Sequence, residues 1–410
     1  MERHQSGIGP GTSRWPFRHI AWVLAVSAFG AGIPTPLYAI YQQQYHFTSG
    51  VLAAVFAAYT AGVLATMLLL APLSDFIGRK PVLYLGMALT AASGVAFIFA
   101  SGVLTLALAR VISGLAVGAT TSTATASMAS LEPRHDQHHV ARVSVAANFG
   151  GVAVGILSSG LLVEYAPFRT ELVFVVLIVV SLAGIIAVAS TRETVARQPK
   201  ALRSRVQRLL VPQTVRRPFW VAAGSLAACY AIYGYFGALA PTFLRAGLNL
   251  TNTAGSASLI AMMFGLAAIT QLALGQVRDR RALLIGLPVI LVATVFLTAS
   301  LPLTAFGLFV VGDSALGVGI GFAYMGSVTL IDRVSPPSLR GEILSAFFVV
   351  GYLALAVPTI GVGATADSFG LLTAAASFGI ALALSVAILW GFTLRTPTPP
   401  GGEGRPRNSR

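Results

Sequence analysis

The chain has 410 residues, 56% of them hydrophobic and only 10% charged, with a mean hydropathy of +0.80. Soluble domains carry about 25% charged residues, so this composition excludes a soluble fold. The formal net charge of +14 would suit a nucleic-acid partner only if the basic residues formed one surface, and here they sit in short clusters between apolar runs.

In chain order, a polar tail covers residues 1–18 and apolar runs then predict helices near 19–41, 50–73, 81–100, 103–130, 140–163 and 170–190. A basic segment, 191–218, precedes six more, near 219–244, 253–275, 282–300, 303–331, 341–364 and 369–393, and a second tail covers 394–410. About 20 apolar residues cross a bilayer, and lipid offers backbone groups no partner outside the helix itself. The alternating ten-residue segments of a membrane β-barrel are absent. The expected fold is therefore all-α and integral to the membrane: twelve transmembrane helices in two six-helix bundles, residues 19–190 and 219–393. Arg14 to Ile33 has the outline of a secretory leader, but it recurs in the second half and is expected to stay as the first helix. The lone Cys229 permits no intramolecular disulfide.

Lys and Arg collect in cytoplasmic loops. With both termini cytoplasmic, 24 of the 27 basic residues fall on that side; Arg169 and Arg245 face outward and Arg110 lies inside the fourth helix. The expected setting is a plasma (inner) membrane crossed many times. In the basic segment Leu202, Val206, Leu209 and Leu210 share one helical face, as in an amphipathic helix lying on an anionic leaflet, although a solvated linker accounts for the segment equally well.

The sequence repeats itself. Phe29-Gly30-Ala31, Pro34-Thr35 and Leu37 recur as Phe236-Gly237-Ala238, Pro241-Thr242 and Leu244, at a constant offset of 207. Asp75 with Gly78-Arg79-Lys80 is echoed by Asp279-Arg280-Arg281, and Glu132 by Asp332. Two related halves around a central site permit alternating access, in which one half rocks against the other. Gly and Pro in the first and seventh helices are expected to interrupt backbone bonding there.

These features resemble the major facilitator superfamily over nearly the whole chain. Ala71-Pro72-Leu73-Ser74-Asp75-Phe76-Ile77-Gly78-Arg79-Lys80 is similar to the pattern G-x-x-x-D-[RK]-x-G-R-[RK], departing at Ala71 and Phe76. Arg110-x-x-x-Gly114-x-x-x-Gly118 is similar to a motif of the drug and proton antiporter branch. The fifth helix, with Asn148, Gly150-Gly151, Gly155 and Gly160, resembles the antiporter signature only in part, because Ile156 replaces its proline. The resemblance implies a cytoplasmic gate, for which Asp75, Gly78, Arg79, Lys80 and Glu132, with Asp279, Arg280 and Arg281 in the second half, are the candidates. It also implies a protein that works as a monomer.

Only Arg110 and Asp313 carry formal charge well inside the predicted spans, so ionic coupling must rest on them. Asp313 is the proton candidate; binding of a cationic substrate, or pairing with Arg110, is the alternative. Tyr38, Tyr59, Asn148, Tyr230, Tyr233, Gln271 and Tyr324 are candidate walls of a substrate cavity suited to amphiphilic molecules. His135, His138 and His139 beside Asp136 have weak metal-site spacing in a solvated loop, so no metal is expected, nor any cofactor or catalytic site, since H-E-x-x-H and G-x-S-x-G are absent. The expected function is proton-driven efflux of a small amphiphilic compound, with partners limited to the lipid bilayer, that substrate and protons. An uptake symporter or facilitator for a sugar or organic acid is the alternative, and a receptor built on a transporter fold is a second.

Overall fold

A computed structural model describes residues 15–69, 77–132, 136–193, 211–274, 277, 279–336 and 339–395. Fourteen α-helices account for almost all of them: α1 Trp15–Gly32, α2 Tyr38–Tyr45, α3 Ser49–Leu69, α4 Arg79–Ile98, α5 Val103–Leu131, α6 Gln137–Tyr165, α7 Leu172–Ala189, α8 Arg216–Ala238, α9 Ala240–Leu248, α10 Thr253–Leu274, α11 Asp279–Ser300, α12 Phe306–Val334, α13 Arg340–Phe369 and α14 Leu371–Arg395. Eleven are long and apolar enough to cross a membrane. The twelfth crossing is α1 continued by α2. Large apolar side chains such as Leu104, Leu108, Ile186, Leu384 and Ile388 stay exposed, as lipid-facing positions must when the solvent is hydrocarbon.

Fourteen helices make twelve crossings because the first and seventh are broken. Pro34 and Pro36 lack the N–H that would bond one turn back, and the chain turns over residues 33–37: Thr35 N–H donates to Gly32 and Leu37 N–H to Pro34. In a regular helix these donors would have served Ala31 and Ile33, whose carbonyls are thereby freed. The seventh crossing breaks more mildly, at Leu239 between α8 and α9, with Pro241 in the first turn of α9. Both short helices end on a left-handed residue, His46 and Asn249, each with φ 52°, at positions 203 apart.

Within the first half α1 lies against α5, α6 and α7, and α4 against α5 and α7; in the second, α8 packs on α12 and α13, and α11 on α12 and α14. The halves meet along two seams, α6 with α10 and α3 with α13. Glycines set the closest contacts inside each half. Gly114 abuts the Tyr59 carbonyl, and a Cβ on Gly118 would stand 2.8 Å from Thr66 Cβ, pressing α5 onto α3. On α12, a Cβ on Gly317 would stand 2.9 Å from Leu266 Cβ and one on Gly321 2.7 Å from Thr270 Cβ, pressing it onto α10. Helices α5 and α12 are both 29 residues long, and each carries a buried charged residue followed by glycines four and eight positions on: 110, 114 and 118 against 313, 317 and 321.

Candidate functional site

Arg110 is 1% exposed. It fills the break in the first crossing: Nη1 donates to the freed Ala31 carbonyl at 3.2 Å and Nε donates to the Tyr38 hydroxyl. Its guanidinium carbon lies 5.0 Å from the Tyr38 ring centre, 5.4 Å from Phe56, 5.8 Å from Tyr59 and 5.9 Å from Phe97. Such cation–π contacts strengthen when desolvated. The other freed carbonyl, Ile33, accepts from Ser159 Oγ at 2.7 Å. Arg110 and Ser159 thus supply donors to the two carbonyls that the break leaves free.

The interface between the halves is occupied by rings. Tyr230 on α8 meets Tyr352 on α13 at 5.1 Å between ring centres, Tyr233 at 6.1 Å and Tyr324 on α12 at 6.4 Å. Phe149 on α6 crosses from the other half to Tyr233 at 5.2 Å and Tyr324 at 5.3 Å, and Phe264 on α10 closes the cluster at 4.2 Å from Tyr233. Tyr59 packs in one small cluster with Tyr352, which joins this group to the Arg110 cage. Of the seven expected cavity residues, Tyr59, Tyr230, Tyr233 and Tyr324 come together here. Tyr38 belongs to the Arg110 cage, Asn148 lies half-buried next to Phe149, and Gln271 is buried two turns further along α10, its amide atoms unbonded. Phe149, Phe264, Tyr352 and Phe56 escaped the sequence reading, because an aromatic in an apolar run reads as core.

Asp313 is fully buried, and neither carboxylate oxygen has a hydrogen-bond partner. It does not pair with Arg110, whose partners are Tyr38 and Ala31. Nor does it enter the tyrosine cluster: eleven residues, or about 16 Å at 1.5 Å per residue, separate it from Tyr324 along α12. Phe309 and Leu316, one turn to either side of it, line a small apolar cavity of ≈ 40 Å³ with α8, α11 and α14.

The sequence matches the Major Facilitator Superfamily over residues 20–359. The chain belongs to the major facilitator superfamily. It is a secondary transporter that crosses the lipid bilayer many times and carries a small molecule. A comparison with curated proteins returned no match.

In the gate region that the resemblance implies, the described contacts run within each half. Gly78, at φ 99°, takes a conformation that favours glycine. The backbone N–H groups of Arg79 and Lys80, opening α4, both donate to Glu193 at 3.1 Å. Arg79 Nη1 donates to Ala126 and Ser130, and Lys80 Nζ to the Ala189 and Thr191 carbonyls at the end of α7. Arg280 repeats the last contact, donating to Thr393 and Leu394 at the end of α14. Cations there suit the negative pole of a helix C-terminus. Each of these partners lies in the same half as its donor, so they brace a bundle rather than join two. Glu132 turns to His139 at 3.8 Å, not to Arg79, and Asp332 pairs with Arg340 at the matching place. Arg281 is exposed on α11. Asp75, the side chain of Asp279, the residues of the amphipathic segment around Leu202 and Arg203, and the side chains of His135 and His138 lie outside the described residues. Among the described residues no three metal-ligating side chains converge.

Proposed function

We propose that this transporter exports a small amphiphilic organic molecule through the tyrosine-lined interface, driven by inward movement of protons carried by Asp313. One observation carries the reading. Among the described residues, Asp313 is the charged group that the fold buries fully without giving it a partner, and an ionised carboxylate withdrawn from water is costly unless matched. Its charge must therefore be balanced by something that arrives and leaves. A proton does so at no cost in space, which suits a site walled by Phe309 and Leu316.

The ring cluster supports the substrate class. It offers broad apolar faces and tyrosine hydroxyls, among them the buried Tyr233 hydroxyl without a partner, with Arg110 at its edge behind Tyr59. Aromatic faces with a few polar tips fit flat or amphiphilic molecules.

Sealed vesicles holding the purified protein and a pH-sensitive dye test the coupling. A transported compound should drive proton movement in the parent and none in Asp313→Asn; unchanged coupling in that variant removes Asp313 from the mechanism. Candidate compounds come from a thermal-shift screen, since a substrate stabilises the folded state by mass action. Tolerance to toxic compounds on expression then supports export, whereas restored growth on a nutrient supports uptake and overturns export.

A further inference from the structure

We propose that Glu164 and Asp367 form a twin latch closing the end of the bundle opposite the chain termini, and that its release opens that end during transport. The proposal concerns gating alone and is independent of which molecule moves, in which direction, and of any role for Asp313.

Asp367, in the last turn of α13, accepts the backbone N–H groups of Ser49 at 2.9 Å and Gly50 at 2.8 Å, the first two residues of α3. Glu164, in the last turn of α6, accepts the N–H of Thr253, the first residue of α10, at 2.8 Å. Each bond crosses from one half to the other, on the two seams where the halves meet. The acids lie 203 residues apart and their targets, Ser49 and Thr253, 204 apart. The duplication has therefore built the same contact twice, once in each direction across the interface.

A second repeated feature makes each contact possible. One turn before the acids stand Gly160 and Gly363, again 203 apart. A Cβ on Gly363 would lie 2.7 Å from the Ser49 carbonyl oxygen and 2.8 Å from Ala53 Cβ; one on Gly160 would overlap Ala257 Cβ and lie 3.2 Å from the Thr253 carbonyl. In Gly160-x-x-x-Glu164 and Gly363-x-x-x-Asp367 the glycine lets two helices touch, and the acid caps the opposing N-terminus. The first N–H groups of a helix lack intrahelical partners and carry partial positive charge, so a carboxylate there makes charge-assisted bonds. Between the latches, Thr242 Oγ1 on α9 donates to Gln42 Oε1 on α2 at 2.8 Å, linking the short helices beyond the two breaks.

The setting suits a bond that must reverse. Asp367 is exposed and Glu164 half-buried, so water replaces each partner as the halves part. A sealed pair would trap the closed form. This end holds capping between the halves, whereas the described bonds of Arg79, Lys80 and Arg280 at the other end stay within one half.

Electron–electron distance measurements on the full chain in lipid nanodiscs, without substrate, test this. With Cys229 replaced by Ser, spin labels at the exposed positions Gln43 and Ala246 span the two halves at this end, and labels at Gln43 and Ser101 stay within one half. Removing a cap shifts an equilibrium by about twofold to thirtyfold. Glu164→Ala and Asp367→Ala should each raise the longer-distance population at 43/246 by that order, and the double variant by more. Asp367→Asn, which keeps one of the two acceptor oxygens and loses the charge, should fall between the parent and Asp367→Ala, and the 43/101 distances should not move. An unchanged 43/246 distribution in the double variant overturns the proposal. Equal broadening of the 43/101 pair overturns it too, because the acids would then only hold their own helix ends together.

Discussion

Helices α5 and α12 are the same element used twice, with equal length, the same two glycines and a charged residue at the same position, yet that residue is Arg110 in one and Asp313 in the other. Their surroundings differ as much as their signs. Arg110 is held by two hydrogen bonds and four rings, whereas Asp313 is held by none. The reason lies in the neighbouring helix. The first crossing breaks over five residues and frees carbonyls, and only a donor can satisfy a carbonyl. The seventh breaks at a single residue, and a carboxylate there would have nothing to cap. In these two helices duplication has kept the contacts made by backbone approach and changed the partners of the buried charge.

The comparison can be broken at several points. The largest effect should come from the glycine seams: Gly114→Val and Gly317→Val each force a side chain into a neighbouring backbone, and overpacking costs about 1–3 kcal/mol or more, so both should lose most folded protein in a detergent thermal-unfolding assay. If only one does, the halves are not equivalent in packing. Next, Arg110→Met should destabilise by about 1.5–3 kcal/mol, the range for charge-assisted bonds, while Asp313→Leu should leave the unfolding midpoint unchanged or raise it, since no bond is lost. A matching loss at Asp313 would contradict its isolation. Tyr38→Phe, which removes one of those bonds, should cost about 1.5 kcal/mol, the low end of that range, and less than that in an Arg110→Met background, because the two groups share one bond. The smallest effect belongs to Gly150→Ala, where a Cβ meets nothing within 4 Å; its midpoint should stay within about 0.5 kcal/mol of the parent.

Much of the fold was legible because hydropathy and turn residues act locally. The predicted fourth helix, 103–130, is Val103–Leu131, and the sixth, 170–190, is Leu172–Ala189. The prolines announced the break in the first crossing, although the sequence reading ran it as one helix to 41. The isolation of Asp313 was not legible, since it depends on what three other helices bring near it. The bond of Glu193 to the Arg79 turn was not legible either, since it joins residues 114 apart, which no local pattern records. Glu164 and Asp367 were passed over for a different reason. They stand at helix ends, where an acid is ordinary, and their signal lies only in the glycine one turn earlier and its copy in the other half.

The glycine seams carry one more consequence. With backbone against backbone, α3 and α5 travel as a single strut, and so do α10 and α12, because close-packed contacts yield little without repacking. Each strut bears a buried charge on one member and touches the opposite half with the other. A shift of either strut would therefore be felt by the opposite half as a change of position, with no wire of polar groups strung between them.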